Sequence, residues 1–389
     1  MKKALFSGLV ASVPLATLLA ASPAVAQRVQ SGTFQGQTWE AQSRIIGMTP
    51  TSVDLSPGVL GGGDPRFFPS ANKSGVVALI MDYGPGGAFI CSGSLLSNRV
   101  SILTAAHCVS DGFGTAGPLR TTAYFFDGNP NSRTPFGAGV RAVEIGNIAV
   151  NSGYTGEVID QNDIAVLRLR NGVFGTEAYD LYDADIQNGD GFNVAGYGGR
   201  STIGGSFGVN ARTGFLREGD NTYSYRWGDD AFGGFFTDRD AAGENFFGFA
   251  EIENSWVSDF DSGLAANDMG CLIAAAVGAP AGFACETGVG AREVGVAGGD
   301  SGGPQFIGGR ISSVTSYGLS FGTTFGDCRA GLNSSCGEFS GWVPVSIHRD
   351  FIAEAMAVPE PATWAMMIMG FGFAGTVARR RVRSNVSFA

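Results

Sequence analysis

Histidine is nearly absent from this chain: 389 residues hold two, His107 and His348. A multi-histidine metal centre is therefore excluded. Charge is scarce as well. Charged residues make up 15% of the chain, against a usual share of about 25%. With 25 basic and 35 acidic residues the formal net charge is −10. A cation-poor, acidic chain is a poor ligand for a polyanion, so no nucleic-acid partner is expected. No repeat of fixed period is visible. None of the six cysteines falls in a CxxC pair, which argues against structural zinc. What is plentiful is glycine, at 61 residues, and phenylalanine, at 29, within a hydrophobic share of 44%. Such a chain can bury a large core and is not globally disordered. Glycine without helical period, together with Phe, Val and Thr, points to short strands and tight turns.

Both ends carry processing signals. Residues 1–26 begin with Lys2 and Lys3, continue with an apolar run, and end in Ala24-Val25-Ala26. That pattern reads as a secretory signal peptide cleaved after Ala26 rather than a membrane anchor. Near the other end, Val358-Pro359-Glu360-Pro361 is followed by a 17-residue apolar stretch, 362–378, and by Arg379-Arg380-Arg381. The stretch is at the lower limit for crossing a bilayer, and the arginines are expected to stay on the cytoplasmic side. This order resembles the PEP-CTERM sorting signal of Gram-negative bacteria, and the resemblance implies processing by an exosortase. A plain C-terminal anchor is the alternative. Either way the body of the protein is expected outside the cytoplasm, where Cys91, Cys108, Cys271, Cys285, Cys328 and Cys336 can form disulfides in any of 15 pairings.

Between these signals, strand-like runs at 75–81, 100–104, 121–126, 164–169, 191–195 and 310–315 alternate with Gly-rich turns. One helix is expected near the end, where Ile347, Phe351, Ile352 and Ala355 share a face. His348, beside Arg349 and Asp350, is expected on the solvated surface of that helix. Three segments carry chemistry. The first runs from Cys91 to Thr104-Ala-Ala-His107-Cys108. The second is Asn162-Asp163-Ile164-Ala165-Val166-Leu167-Arg168-Leu169. The third is Gly298-Gly299-Asp300-Ser301-Gly302-Gly303-Pro304. They supply a histidine, an aspartate and a serine in that order, which is the order of one lineage of catalytic triads. A serine hydroxyl is a weak nucleophile and needs an adjacent base.

In these three segments, from about Ser74 to about Ala357, the chain resembles the trypsin/chymotrypsin-like serine endopeptidases. The resemblance implies His107 as general base, Asp163 as its orienting partner and Ser301 as nucleophile. It also implies an oxyanion hole from the N–H groups of Gly299 and Ser301, and disulfides Cys91–Cys108, Cys271–Cys285 and Cys328–Cys336. The S1 floor, six residues before the nucleophile, would be Gly295. Ser316-Tyr317-Gly318 matches the substrate-binding segment, and Gly341 the second wall glycine. No acid stands at the floor, so a roomy uncharged pocket taking large apolar P1 residues is expected. The cysteine usual four residues before the nucleophile is Ala297 here. In the family a new N-terminus pairs with the aspartate before the nucleophile, here Asp300. Two candidate starts follow: Ile45, after Arg44, and Val59 of Val59-Leu60-Gly61-Gly62.

Residues 202–267 depart most from the family, being rich in Gly, Phe, Asp and Asn. Asp259-Phe-Asp261-Ser-Gly263 with Asp268 could bind calcium but misses the EF-hand pattern. An acidic surface loop is the expectation there. The expected fold is all-β: two packed antiparallel six-stranded barrels with a C-terminal α-helix. The expected organisation is a signal peptide at 1–26, an N-terminal or pro-segment at 27–73, a protease domain at 74–357 with barrels at 74–190 and 191–357, and a sorting segment at 358–389. The expected function is secreted serine endopeptidase, acting on protein or peptide substrates without a cofactor, structural calcium being the one candidate. Other expected partners are the sorting machinery and, transiently, the membrane through the C-terminal segment. The expected address is the periplasm, outer surface or extracellular space. The alternative is a non-catalytic or matrix-associated surface protein retaining the fold.

Overall fold

The computed structural model describes residues 29–42, 45–47, 65–114, 117–126, 139–201, 203–211 and 213–357. The signal peptide, Arg44, the segment around Val59 and the C-terminal sorting segment lie outside the described residues. The chain opens with a hairpin of β1 (Gln30–Phe34) and β2 (Gln37–Gln42), then β3 (Ile45–Gly47). Six strands follow: β4 (Val76–Asp82), β5 (Ala88–Leu95), β6 (Ser101–Thr104), β7 (Arg120–Phe125), β8 (Arg141–Val150) and β9 (Ala165–Leu169). They close into an antiparallel barrel in the order β4-β5-β6-β9-β8-β7.

The sequence of β4, Val-Val-Ala-Leu-Ile-Met-Asp, lacks the polar alternation of a half-buried strand, and the packing shows why. Val77, Leu79 and Met81 point into the barrel core, with Leu95, Ile102 and Leu167. Val76 and Ala78 point the other way, into a second core shared with Ala195, Tyr197, Val314 and Val343 of the C-terminal half. A strand buried on both faces reads as a continuous apolar run. Strand β9 divides likewise, with Ala165, Leu167 and Leu169 inside the barrel and Val166 in the shared core.

The C-terminal half holds β10 (Gly191–Gly196), β11 (Arg217–Thr222), β12 (Tyr225–Arg226), β13 (Trp256–Asp259), helix α1 (Met269–Ala276), β14 (Val294–Val296), β15 (Pro304–Ile307), β16 (Arg310–Ser320), β17 (Phe339–Pro344) and helix α2 (Arg349–Met356). Its sheet runs β11-β10-β15-β16-β17-β13-β12, with β2 added to β16 and β1 to β2. This second unit curls as a half-barrel, whereas the first closes on six strands. The N-terminal hairpin takes up the edge of β16, through the pairs Gly318↔Gln42, Leu319↔Ala41 and Ser320↔Glu40.

The Phe-rich insert is core, not decoration. Phe232, Phe236 and Phe247 are buried with Trp227 and Tyr225 and pack against Phe34 and Trp39 of the hairpin. Helix α2 buries Ile352 in the shared core. Ile347, expected on that buried face, precedes the helix and is 41% exposed. The acidic loop expected at the surface is instead interior: Asp259, Asp261 and Asp268 are all buried. Three disulfides join Cys91 to Cys108, Cys271 to Cys285 and Cys328 to Cys336.

Candidate active site

His107 sits in a 3-10 turn, Ala106–Cys108, that follows directly on β6. The Cys91–Cys108 disulfide ties that turn to β5. Asp163 comes from the turn just before β9, which pairs with β6. The two strands therefore deliver the two side chains to one end of the barrel. The His107 Nδ1 lies 2.7 Å from Asp163 Oδ2, and the His107 backbone N–H donates to Asp163 Oδ1 at 2.8 Å. The Ser316 hydroxyl donates to Asp163 Oδ2 at 2.6 Å. Asp163 is fully buried, which pushes its pKa up, but the His107 ring and the hydrogen bonds from His107 and Ser316 outweigh burial. The net result is a carboxyl held below its usual range, and so ionised at neutral pH.

The turn that carries Asp163 is itself braced. Asp160 accepts from the Asn162 N–H and from the Thr155 N–H and hydroxyl, each at 2.8 Å. Burial raises its pKa to about 6. The same turn meets His348 through the Gln161 carbonyl. Expected in solvent, His348 is 5% exposed. Its Nε2 lies 2.8 Å from the Gln161 carbonyl and its Nδ1 2.9 Å from Asn151 Nδ2. The carbonyl can only accept, so Nε2 carries the proton and Nδ1 accepts from the Asn151 amide. The lone sequence position gave no sign of this, because both partners lie almost 200 residues upstream.

Ser301 lies in the tight loop between β14 and β15. Two hydrogen bonds close it, from Asp300 N–H to the Ala297 carbonyl at 3.0 Å and from Gly303 N–H to the Asp300 carbonyl at 2.7 Å. The Gly302 N–H donates to the Thr315 carbonyl. Among the described residues, the intervening N–H groups of Gly299 and Ser301 donate to nothing. Gly299 has φ +106°, which favours glycine. Gly302 is required by close approach: a Cβ there would fall 2.0 Å from Thr104 Oγ1 and 2.7 Å from Ala105 N, beside the histidine turn.

One residue of β5, Ser92, clamps the loop from the barrel side. Its N–H donates to the Ser301 carbonyl at 2.8 Å and its hydroxyl to the Gly299 carbonyl at 2.9 Å. Asp300 is buried and accepts from the Gly198 N–H at 2.7 Å and the Ala297 N–H at 3.1 Å. Burial lifts its carboxyl well above the usual range despite the Gly198 bond. Neither Ser92 nor Gly198 stood out in the sequence, since each acts through a backbone contact more than 100 residues away.

Residues 70–213 match the family model described as Trypsin, and residues 357–382 match the PEP-CTERM protein-sorting motif. The family matched is that of the trypsin-like serine proteases. The matched span takes in His107 and Asp163 and stops before Ser301. No curated protein matches the chain. A solved structure titled as an HL collagenase is 16% identical, with a TM-score of 0.46, over 75% of this chain and 98% of that one. The PEP-CTERM motif indicates export through the exosortase route of Gram-negative bacteria.

Of the residues expected to shape the substrate pocket, Gly295 lies in β14, and a Cβ there would meet the Phe260 ring at 3.1 Å. A Cβ at Gly341 would fall 2.3 Å from the Tyr317 ring. Both glycines thus make room for the protein's own aromatic rings, which fill space the sequence suggested was open. The Tyr317 hydroxyl accepts from Trp227 Nε1 at 2.8 Å and lies 2.8 Å from Ser255 Oγ. Ser316 and Gly318 are on β16, whose edge at Gly318 is paired with Gln42 of β2. Strand β3 pairs with β14 through Ile45↔Val296, Ile46↔Gly295 and Gly47↔Val294. The chain that follows Arg44 therefore runs beside the candidate S1 floor. Among the described residues no helix is long and apolar enough to cross a membrane.

Proposed function

We propose that this chain is an exported serine endopeptidase that cleaves peptide bonds through an acyl-enzyme. One observation carries the reading. His107 is held to Asp163 through both its backbone N–H and Nδ1, while the N–H groups of Gly299 and Ser301 have no acceptor among the described residues. Asp163 keeps the His107 proton on Nδ1, which leaves Nε2 to take the proton of Ser301. The Ser301 oxygen then bonds to the scissile carbonyl carbon, and the negative charge on the carbonyl oxygen falls to the Gly299 and Ser301 amides. His107 returns the proton to the leaving amine as the C–N bond breaks. Water, deprotonated by the same imidazole, releases the acyl group.

Gly295, Ser316 and Gly318 bring no charge to the P1 site, and Gly341 contributes by admitting the Tyr317 ring. Apolar P1 residues remain the preferred substrates on this reading, through the absence of charge rather than through open space, and a peptide library cut mainly after Arg or Lys would sink it. Within the N-terminal stretch 27–73, residues 27–44 act as a pro-segment. Support comes from β2, which occupies the backbone edge at Gly318 that an extended substrate would need. Cleavage between Arg44 and Ile45 frees a new N-terminus already paired beside Gly295, with Asp300 as its acceptor. N-terminal sequencing of active enzyme is expected to read Ile45, and a fully active form starting at Gln27 would exclude the pro-segment. The central test is labelling with a fluorophosphonate, wild type beside Ser301→Ala, both after removal of the N-terminal segment. Labelling of the wild type alone is expected. A folded wild type that resists the label would move the chain to the non-catalytic or matrix role.

A further inference from the structure

Four buried carboxylates and the half-buried Glu286 come together in the C-terminal half. Asp259 ends β13 and Asp261 follows two residues later. Asp268 caps α1, accepting from the Cys271 N–H at 2.7 Å. Glu286 follows the Cys271–Cys285 disulfide, which returns the chain to Asp268: the Glu286 N–H donates to Asp268 Oδ2 at 3.0 Å. Glu293 immediately precedes β14 and accepts from the Asp261 N–H at 2.8 Å. Asp259, Asp261 and Glu286 each offer an oxygen within 4.8 Å of the other two. Among the described residues, none of the five takes part in an ion pair.

Local donors satisfy part of this cluster. Asp259 accepts from Ser224 Oγ and the Gly270 N–H, and Glu286 from Thr222 Oγ1 and the Gly288 N–H. Two oxygens remain. Asp261 Oδ2 and Glu293 Oε2 are buried with no hydrogen-bond partner among the described residues, on side chains of residues only 0% and 1% exposed. Both carboxylates pack against Gly288. A Cβ on Gly288, which has φ +79°, would lie 2.0 Å from Glu293 Oε2 and 2.7 Å from Asp261 Oδ1. Glycine there lets the two carboxylates crowd together, beside Glu286. Burying an unpaired carboxylate oxygen is costly, and several like charges in one pocket need a counter-charge.

We propose that Asp259, Asp261, Glu286 and Glu293 form a calcium site behind the S1 wall, with Asp268 and the Cys271–Cys285 bridge setting its loop. The chemistry selects the ion class. Every donor is a carboxylate oxygen, because the nearby Cys271 and Cys285 are locked in their disulfide. Such a set takes a hard cation rather than zinc or copper. Calcium ligands at about 2.3–2.6 Å from the ion lie up to about 5 Å from each other, which suits this spread. The site would do more than neutralise charge. Between Asp261 and Asp259 stands Phe260, whose ring packs on Gly295, and directly after Glu293 comes Val294, the neighbour of Gly295. One ion would thus tie together the two segments that form the pocket floor.

The test uses the whole exported protein, stripped with EGTA and dialysed, then given calcium chloride or magnesium chloride. Metal content by mass spectrometry and Tm by calorimetry are the readouts, neither of which depends on catalysis. About one calcium per chain and an upward Tm shift of several degrees are expected at saturating calcium, with a smaller shift for magnesium. The double variant Asp261→Asn with Glu293→Gln should lose both bound calcium and shift. Should that variant not fold, Glu293→Gln alone, which keeps the side-chain volume, is expected to weaken calcium binding at least tenfold. A wild type that retains no calcium and shows no shift overturns the proposal. So does a Tm that rises on acidification yet ignores calcium, since the carboxyls would then be sharing protons. Unchanged calcium dependence in the folded variants would place any ion elsewhere and equally overturn it.

Discussion

Replacing Asp163 by Asn removes one charge and changes one atom, so its effect can be worked from the contacts. Oδ1 accepts the backbone N–H of His107 at 2.8 Å. A backbone N–H can only donate, so the asparagine oxygen must stay on that side. The new NH2 then takes the place of Oδ2, 2.7 Å from His107 Nδ1 and 2.6 Å from Ser316 Oγ. Facing a donor, Nδ1 must become an acceptor and the ring proton moves to Nε2. That nitrogen can no longer take the Ser301 proton. The fold should survive, because the substitution is isosteric and removes a buried charge. The loss should therefore fall on kcat, by about 10⁴-fold, the size found when such a triad aspartate becomes asparagine. That factor corresponds to about 5.5 kcal/mol of transition-state stabilisation. The assay is kcat/KM on a peptide ester beside the rate of fluorophosphonate labelling, with circular dichroism as the fold control. Nitrogen chemical shifts of His107 report the tautomer directly. An asparagine variant within tenfold of wild type in both rates would refute the reasoning, because Asp163 would not be setting the proton position.

Gly198→Ala should cut Ser301 labelling by about 100-fold or more, the cost of one misplaced oxyanion donor. Its Cβ would lie 1.9 Å from Asp300 Oδ2, so Asp300 must move and drag the loop; wild-type labelling in the folded variant counts against that coupling. Tyr317→Phe strips the buried Trp227 Nε1–H of its acceptor, at a cost of about 1–3 kcal/mol. A Tm drop of several degrees by calorimetry is expected, and an unchanged Tm contradicts it. Burial holds the His348 pKa below its ordinary 6.5, with the Gln161 carbonyl acting in the opposite direction. A depressed histidine stabilises the fold above its unfolded pKa and loses that contribution as pH falls towards its folded value. Tm should therefore fall more steeply below about pH 6.5 in wild type than in His348→Gln. Parallel profiles would show that His348 does not titrate with unfolding.

Several features were legible because they are local or carry their own punctuation. The strand runs at 75–81, 164–169 and 191–195 could be read from apolar, β-branched composition between glycines, and they recur as β4, β9 and β10 within a residue or two. Ser301 could be singled out because glycines crowd it, and Gly302 shows the physical need: no side chain fits against Thr104. The fully apolar run of β4 was ambiguous on its own. Only the presence of a core on each face explains it.

Other features depended on distant partners. His348 read as a surface residue because its neighbours are charged, yet its ring is consumed by Gln161 and Asn151. The acidic segment around Asp259 read as a solvated loop, because a run of acids carries no mark of the β-strand that buries it. Gly341 suggested an open wall, and Tyr317 fills it.

By itself the sequence determined which reactive groups this protein holds: a histidine, an aspartate and a serine in that order, with a sorting motif after them. These are properties of residue identity and short spacing. The tertiary structure decided everything that depends on where a side chain finds its partner. It brought Ser316 to Asp163, set Ser92 against the Ser301 loop, laid the N-terminal hairpin along β16, and gathered Asp259, Asp261 and Glu286 into one cluster. Hydrogen bonds and charges act over a few ångströms, and only the folded sheet brings residues tens to hundreds of positions apart within that range.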